Sequence, residues 1–262
     1  MRPGHPYLAG PYPRAFAHRG WHVDELAGME NSLSAFRRAV AEGYRYLETD
    51  VHATRDGVVV AQHDATLDRT TDGRGALVRL PWSAVRSARI GGREPVPRLT
   101  DLLEELPEAR FNVDVKADTA VAPVVETLRR TNSMDRVCLA SFSDARLRRL
   151  RQLGGPKLLT AMGPRSAAAL WLSSLLPLLL AGAAISGQLA QVPTRRGRLS
   201  PVDRRFVSAA QRRGFEVHVW TVNHEERMRS LLDIGVDGLI TDAPDVLREV
   251  LRSRGSWVNE VA

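Results

Sequence analysis

The sequence predicts a single (β/α)8 barrel with a small insertion after its second strand. The length of 262 residues is usual for one such barrel. Short apolar, β-branched runs alternate along the chain with arginine-rich amphipathic stretches, which is the pattern of βα units and a parallel sheet. Polar residues follow several of these runs, as expected where strands end at the rim of a barrel.

The pattern gives eight strands and their connections in chain order. The predicted strands cover residues 14–18, 45–51, 111–116, 137–141, 157–161, 184–189, 216–222 and 238–241. Residues 32–42 have one apolar stripe of helical spacing, and Asn31 or Ser32 would cap its start. Residues 53–107 are too long for one βα link and contain their own strand pattern at 57–62. We expect them to be an insertion over one end of the barrel, within one domain of residues 1–262.

One stretch, residues 167–185, has nineteen residues without a charge. Its length would permit a membrane span, but Pro177 interrupts it, and Ser173 and Ser174 dilute it. A span here would also remove the link between the fifth and sixth strands. We therefore expect a buried or half-buried helix of the barrel, with peripheral membrane contact as the alternative.

The charge of the chain does not indicate a nucleic-acid partner, although the net charge is +7 and the pI is near 10.4. Basic surfaces attract polyanions, but here the positive residues are spread along the chain in small groups. The only lysines are Lys116 and Lys157, which indicates a general preference for arginine. The single cysteine, Cys138, cannot form an intramolecular disulfide. Because residues 1–13 lack an apolar core of signal-peptide length, the sequence predicts a cytoplasmic protein.

Charged side chains share a face on two of the predicted strands. Strand side chains alternate with period two, so Glu48 and Asp50 point to the same side. A buried pair of this kind usually holds a divalent cation, and oxygen ligands favour Mg²⁺ or Ca²⁺ over Zn²⁺. Taken alone, this pair could equally bind arginines. The third strand repeats the arrangement with Asp114 and Lys116, and a phosphate oxygen is a natural partner for so rare a lysine.

Two histidines complete the polar set. His18 ends the first strand and is followed by Arg19, whereas His63 follows the strand pattern inside the insertion. Each histidine alone has an ordinary explanation as part of a turn or loop. The carboxyl ends of barrel strands meet at one rim, so the sequence predicts that the histidines and the acidic groups form one site.

These motifs resemble those of the glycerophosphodiester phosphodiesterase family, bacterial type. The resemblance spans almost the whole chain, is most specific in its first third and is weak over residues 120–215. The matching residues are His18-Arg19-Gly20, Glu30-Asn31-Ser32, Ala35-Phe36, Ala39, Gly43, Glu48, Asp50-Val51, Thr54, Asp56-Gly57, His63-Asp64, Leu67, Arg69-Thr70-Thr71, Gly73, Pro97, Leu99, Trp220-Thr221-Val222-Asn223, Gly235-Val236-Asp237-Gly238, Thr241-Asp242 and Pro244. The fold that this likeness implies is the (β/α)8 barrel of the phospholipase C-like phosphodiesterases.

The resemblance also implies a metal centre. Glu48 and Asp50 would be ligands of one divalent cation, joined by Asp114. The cation would be Mg²⁺ or Ca²⁺, with Mn²⁺ also compatible. The family usually has glutamate at the position of Asp114, so the affinity and choice of metal can differ in this chain.

The remaining residues receive roles in catalysis and binding from the same resemblance. His18 and His63 would act as general acid and base. Arg19 and Lys116 would neutralise the phosphate, and Trp220 would line the pocket of the small-molecule glycerophosphodiester substrate.

The implied reaction is hydrolysis of a glycerophosphodiester to sn-glycerol 3-phosphate and an alcohol such as choline or ethanolamine. The neighbouring glycerol hydroxyl would attack the phosphorus, and water would open the resulting cyclic phosphate while the two histidines exchange roles. Two alternatives remain. One is a lysophospholipase D-like enzyme in which residues 167–185 admit or touch an acyl chain. The other is a non-catalytic barrel that binds phosphate-bearing ligands or anionic membrane, which the presence of both histidines and all the carboxylates disfavours.

Overall fold

A computed structural model of the protein describes residues 4–176, 182, 184–194 and 201–257. The strands in these ranges are β1 (Arg14–His18), β2 (Tyr46–Ala53), β3 (Val59–Ala61), β4 (Arg89–Ile90), β5 (Glu94–Pro95), β6 (Arg110–Val115), β7 (Val137–Ala140), β8 (Leu159–Thr160), β9 (Leu189–Pro193), β10 (Glu216–Trp220) and β11 (Gly238–Thr241). The helices are α1 (Leu33–Ala41), α2 (Trp82–Val85), α3 (Leu99–Glu105), α4 (Val121–Arg130), α5 (Asp144–Gly154), α6 (Pro164–Leu175), α7 (Arg204–Arg212), α8 (Glu225–Asp233) and α9 (Pro244–Ser253).

The main sheet is a parallel barrel. Its strands are neighbours in the order β8, β7, β6, β2, β1, β11, β10 and β9, and each of these pairs is parallel. The two ends of this order meet where the Met162 amide donates to the Leu189 carbonyl at 2.8 Å and the Gln188 amide donates to the Thr160 carbonyl at 3.0 Å. The predicted (β/α)8 barrel is therefore confirmed.

The sixth barrel strand begins later in the chain than predicted. The prediction placed it at residues 184–189, whereas β9 overlaps that range only at Leu189. Gly187 has a φ of 102°, and a Cβ at this position would lie 2.6 Å from the Ala161 carbonyl oxygen. Both the left-handed backbone and this close approach require glycine. The chain therefore can turn at Gly187, and β9 begins only after this turn. The small apolar residues before the turn have a strand-like composition, which made the prediction wrong.

The loop after β1 is fixed against the start of α1. Ser32, one of the two predicted caps, accepts a hydrogen bond at Oγ from the Ala35 amide at 3.1 Å. Gly20 has a φ of 87°, and a Cβ there would lie 2.8 Å from the Ala35 carbonyl carbon. The Trp21 amide also donates to the Ala35 carbonyl at 2.8 Å. These contacts hold the residues just before Gly20 at the rim of the barrel.

The segment between β2 and β6 has its own small core. Strand β3 pairs antiparallel with β2, and β4 pairs with β5. A separate apolar cluster fills the space between these elements: Met29, Val60, Leu67, Leu77, Val85, Ala88, Ile90 and Val96. Helix α3 lies within the range 53–107 that the sequence assigns to the insertion, but its Leu99, Leu102 and Leu103 pack in the core of the barrel. In the structure the added segment thus ends before α3, which is a helix of the outer ring.

The amino-terminal end of the barrel is closed by a buried polar network. Arg14, at the start of β1, pairs with Glu216, at the start of β10, at 2.7 Å, and both side chains are almost fully buried. Arg14 also donates to the Tyr46 hydroxyl at 2.6 Å, and His218 lies 3.1 Å from Glu216. Removing one partner of such a pair leaves an uncompensated buried charge and costs about 3–5 kcal/mol. This end of the barrel therefore serves stability rather than chemistry.

Helix α6 forms the first part of the uncharged stretch. Leu170 is buried, and Ala167 and Trp171 are half-buried against the core. Leu172 and Leu175 are 42% and 38% exposed, and Leu176 just beyond the helix is 49% exposed. The half-buried helix that the sequence predicts is present up to Leu175, and positions 177–181 and 183 lie outside the described residues. In the described ranges no helix combines the length and the apolar character needed to cross a membrane.

Candidate active site

One pocket of about 780 Å³ lies at the carboxyl ends of the barrel strands. Side chains from the strand ends, from the insertion and from α6 line it. All the residues that the sequence singled out are among them: His18, Arg19, Glu48, Asp50, His63, Asp114, Lys116 and Trp220. The structure thus brings together groups that are up to 202 positions apart in the chain, because the barrel places every strand end at one rim.

The acidic residues are adjacent because of the register of the barrel strands. Asp50 is paired with Asp114 across β2 and β6, and Glu48 is paired with His18 across β2 and β1. The three carboxylates are at most 5% exposed. Lys116 Nζ lies 2.7 Å from an oxygen of Asp50 and 2.7 Å from an oxygen of Asp114. The lysine therefore offsets part of the negative charge of the cluster.

Several carboxylate oxygens of this cluster are left unsatisfied. Among the described residues, Glu48 Oε2 and Asp114 Oδ1 are buried and accept no hydrogen bond. Burial, together with repulsion by Asp50, raises the pKa of Glu48 to about 8. Burial also raises the pKa of Asp114, although Lys116 opposes this shift. With all three carboxylates ionised, the cluster would hold more negative charge than its protein partners stabilise, a condition that a bound cation would relieve.

The donors are not already gathered into a tight metal cluster. Across the described ranges no three His, Cys, Asp or Glu side chains form a group that could hold a metal ion as they stand. The donor chemistry nevertheless suits a hard cation, because the unsatisfied atoms of Glu48 and Asp114 are carboxylate oxygens. The residues fit such an ion by donor type and by their unmet hydrogen-bonding capacity.

His18 is held by a carboxylate at the end of another barrel strand. Its Nδ1 lies 2.5 Å from Asp242 Oδ1, directly after β11. Asn223 fixes that aspartate by donating from Nδ2 to Asp242 Oδ2 at 3.0 Å and by accepting from the Asp242 amide at 2.9 Å. Burial disfavours the imidazolium, but Glu48 and Asp242 outweigh it and raise the pKa of His18. The other ring nitrogen, Nε2, lies 3.6 Å from Glu48 Oε2, so it is turned toward the acidic cluster.

His63 is held by its neighbour in sequence. Its Nδ1 lies 2.7 Å from Asp64 Oδ1. Hydrogen bonds from Arg69 are the main reason why the pKa of Asp64 is lowered to about 2, so this carboxylate is ionised at neutral pH. The backbone carbonyl of His63 accepts a hydrogen bond from His52 Nε2 at 3.2 Å. His63 is more exposed than His18, with 37% against 14% of the side chain accessible.

Both of the predicted phosphate-binding cations are ion-paired in this structure. Arg19 Nε lies 3.0 Å from Asp50 Oδ2, and its Nη1 lies 3.0 Å from Glu30 Oε1. Lys116 lies between Asp50 and Asp114. Both side chains line the pocket, but carboxylates already offset part of the positive charge of each.

The other half of the pocket is apolar. Trp220 packs edge-on against Phe142 with ring centroids 5.5 Å apart. Further apolar side chains continue this wall toward α6 and α7: Met162, Ala167, Ala168, Trp171, Leu172 and Phe206. The pocket thus joins a charged end, suited to a phosphodiester, to an apolar end.

Sequence reasoning assigned no role to three residues that shape this site. Asp242 and Asn223 belong to the family motifs near the end of the chain but carried no chemical assignment, and Phe142 was not noticed. Asp242 directly follows a predicted strand, and this position was the available signal. Phe142 lies in the weakly matching region and had no comparable signal.

The fold and the pocket define a class of protein. A (β/α)8 barrel whose rim carries two carboxylate-held histidines, a buried acidic cluster and two cations is equipped for acid-base chemistry on an anionic ester.

The comparisons with known proteins identify the family. Residues 18–246 match the Glycerophosphoryl diester phosphodiesterase family. The chain is 40% identical over 249 residues to the probable glycerophosphodiester phosphodiesterase 2 of Mycobacterium tuberculosis, covering 93% of this chain and 92% of that one. The chain therefore belongs to this family of phosphoric diester hydrolases, and the family predicted from the motifs is confirmed.

Solved structures agree with this assignment. A glycerophosphodiester phosphodiesterase from Agrobacterium tumefaciens superposes with a TM-score of 0.72 at 25% identity, covering 92% of this chain and 99% of that chain. A phosphodiesterase from Oleispira antarctica, in complex with the product sn-glycerol-3-phosphate, gives a TM-score of 0.74 at 23% identity over 92% of this chain and 97% of that chain. At this level of identity the second structure supports the fold.

Proposed function

We propose that the protein hydrolyses glycerophosphodiesters to sn-glycerol 3-phosphate and an alcohol, with one divalent cation and with His18 and His63 as general acid and base. The observation that carries the proposal is the pocket lined by the acidic cluster and by both histidines, each held at Nδ1 by a carboxylate. Membership of the family supports it, and the product bound to the Oleispira antarctica relative is the expected glycerol 3-phosphate.

The two histidines have the geometry that proton transfer requires. An ionised carboxylate at Nδ1 favours the tautomer or charge state in which Nδ1 carries a proton. This leaves Nε2 of each ring to take a proton from the attacking hydroxyl or to give one to the leaving alcohol. Asp242 does this for His18 and Asp64 does it for His63.

The charged residues act on the phosphate. Arg19 and Lys116 would reduce the negative charge of its non-bridging oxygens as the transition state forms. A cation held by Glu48, Asp50 and Asp114 would supply further electrostatic stabilisation. We expect Mg²⁺ or Ca²⁺, with Mn²⁺ also compatible, because carboxylate oxygens are the donors.

A second candidate substrate is a lysophospholipid, which carries one acyl chain. The observation that favours it is the apolar half of the pocket, which Trp171 and Leu172 of α6 line. Leu172, Leu175 and Leu176 are also exposed. The same exposed leucines would make peripheral contact with a membrane or micelle. The cytoplasmic location remains a prediction of the sequence.

The test is release of glycerol 3-phosphate from glycerophosphocholine by the purified protein, with lysophosphatidylcholine and its expected lysophosphatidic acid product in a parallel arm. Turnover of the first substrate supports the main proposal, and failure with both substrates contradicts it. If the apolar wall binds an acyl chain, Trp171→Ala should raise KM for the lysophospholipid and leave glycerophosphocholine nearly unaffected. Trp82→Ala, in the insertion and away from the pocket lining, is the matched control.

A further inference from the structure

An unbroken series of polar contacts between charged side chains joins the acidic cluster to His63 through Glu30 and Arg69. Carboxylates and arginines alternate along it up to the ring of His63, and each neighbouring pair is within 3.0 Å. Its members in order are Asp50, Arg19, Glu30, Arg69, Asp64 and His63. Asp50 lies on β2, Arg19 directly follows β1 and Glu30 lies in the loop before α1, whereas the last three lie in the insertion. The series therefore connects the barrel to the segment that carries His63.

Arg69 is the link at which the two parts meet. Its Nη1 and Nη2 donate to the two oxygens of Glu30, each at 2.8 Å. Its Nε donates to Asp64 Oδ2 at 2.7 Å, and its Nη2 also reaches Asp64 Oδ1 at 3.2 Å. A planar guanidinium that contacts two carboxylates in this way fixes their relative orientation, which a lysine ammonium cannot do.

Arg69 can influence the orientation of His63 without contacting it, because Asp64 contacts both residues. Asp64 Oδ1 accepts from His63 Nδ1 at 2.7 Å, and its other oxygen is occupied by Arg69. The ionised Asp64 can only accept at that contact, and Arg69 holds the carboxylate in the orientation that makes it. Without Arg69, Asp64 can turn into solvent, since 28% of its side chain is exposed, and the ring of His63 loses its orientation.

We propose that Arg69 is a positioning residue, which acts through Asp64 to keep the proton of His63 on Nδ1 and Nε2 directed into the pocket. The proposal rests on the proposed function, in which His63 transfers a proton. Arg69 itself does not line the pocket, so it does not contact the substrate there. It is 48% exposed, so its removal should not unfold the barrel.

The first test compares Arg69→Ala and Arg69→Lys with the wild type on glycerophosphocholine. Loss of a group that orients a metal-bound histidine typically costs about tenfold to a hundredfold, and we expect the lower end of that range for a histidine that transfers protons. We expect Arg69→Ala to lower kcat by about tenfold and to change KM little. In Arg69→Lys, less than about half of this loss in log kcat should be recovered, because an ammonium cannot contact both carboxylates as the guanidinium does. Arg74→Ala is the matched control, because Arg74 is an 81% exposed arginine of the same insertion that pairs with Asp68. It should keep wild-type kcat.

The second test separates positioning from a general structural role. In protein labelled with ¹⁵N-histidine, the His63 signals are assigned by their loss in His63→Ala. The proposal predicts the Nδ1–H tautomer for neutral His63 in the wild type and in Arg74→Ala, and a shift toward Nε2–H in Arg69→Ala. An unchanged tautomer, or an unchanged kcat in Arg69→Ala, would overturn it. Wild-type activity in His63→Ala would instead refute the proposed role of His63, which is a separate failure.

Discussion

The two histidines of the pocket are held in different ways. His18 ends a barrel strand, is 14% exposed, and contacts an aspartate at the end of another barrel strand. His63 lies in the insertion, is 37% exposed, and contacts the next residue in the chain, which Arg69 in turn secures. The first orientation is a property of the barrel. The second depends on ion pairs between the barrel and an added segment.

This difference shows how one fold can supply an acid-base pair. A strand end gives a fixed position because its backbone is bonded to both neighbours, whereas a loop residue needs side-chain partners to reach the same precision. We therefore expect substitution of the group that holds His18 to lower kcat strongly. Substitution of the groups that hold His63 should lower kcat by smaller amounts.

The largest predicted effect is common to both sides. Replacing either proton-transfer group, in His18→Ala or His63→Ala, should lower kcat by at least about 10³-fold, near the upper part of the range for general acid-base catalysis. Circular dichroism should show an unchanged fold. Near-normal turnover in either variant would contradict its assignment.

Substitution of the two aspartates that hold the histidines should lower kcat by different amounts. Asp242→Asn should lower kcat by about 10²-fold, because the amide can present a donor to Nδ1 and favour the wrong tautomer of a ring that is only 14% exposed. Asp64→Asn should cost only about tenfold, because His63 is more open to solvent. Steady-state kinetics on glycerophosphocholine would measure both, with Asp68→Asn of the insertion as the control. An equal loss of kcat in Asp242→Asn and Asp64→Asn would contradict the proposed difference between the ways in which His18 and His63 are held.

The last predicted effect concerns stability rather than turnover and lies on the His18 side. The pKa of Glu48 is raised by burial from 4.5 to about 8. Between these pH values the cation-free folded protein keeps a proton that the unfolded chain releases, so its free energy of unfolding falls as pH rises through this window. Glu48→Gln has no charge at this position. In chelator it should therefore be more stable than the wild type at pH 8 and similar to it near pH 4.

Urea unfolding at the two pH values would measure this difference, with Glu104→Gln on an exposed helix position as the control. Saturating cation should narrow the gap at the higher pH, because a ligand of the ionised carboxylate stabilises the folded wild type. A gap that does not depend on pH would contradict the account of Glu48.

Much of this site follows from local sequence patterns, and the rest follows from contacts between distant parts of the chain. Strand periodicity alone places Glu48 beside Asp50 and Asp114 beside Lys116 on inward faces. The partnership of His18 with Asp242 joins the first and last barrel strands, 224 positions apart. No local pattern contains such a contact; it appears only when the barrel closes.

The fold shows the same limit. Strands with clear apolar runs were predicted near their true positions, but the sixth was displaced because Gly187 turns the chain against Ala161, a contact set by the neighbouring strand. The sequence also did not show where the insertion ends and the outer ring of helices resumes. Helix α3 looks like part of the added segment in sequence and belongs to the barrel core by packing.

The most direct test of the account is the metal dependence of glycerol 3-phosphate release from glycerophosphocholine by the wild-type protein. We expect chelator to abolish turnover and Mg²⁺, Ca²⁺ or Mn²⁺ to restore it, because a bound cation would satisfy the buried oxygens of Glu48 and Asp114. Full turnover in the presence of chelator would contradict the proposed metal centre, even if the two histidines proved essential.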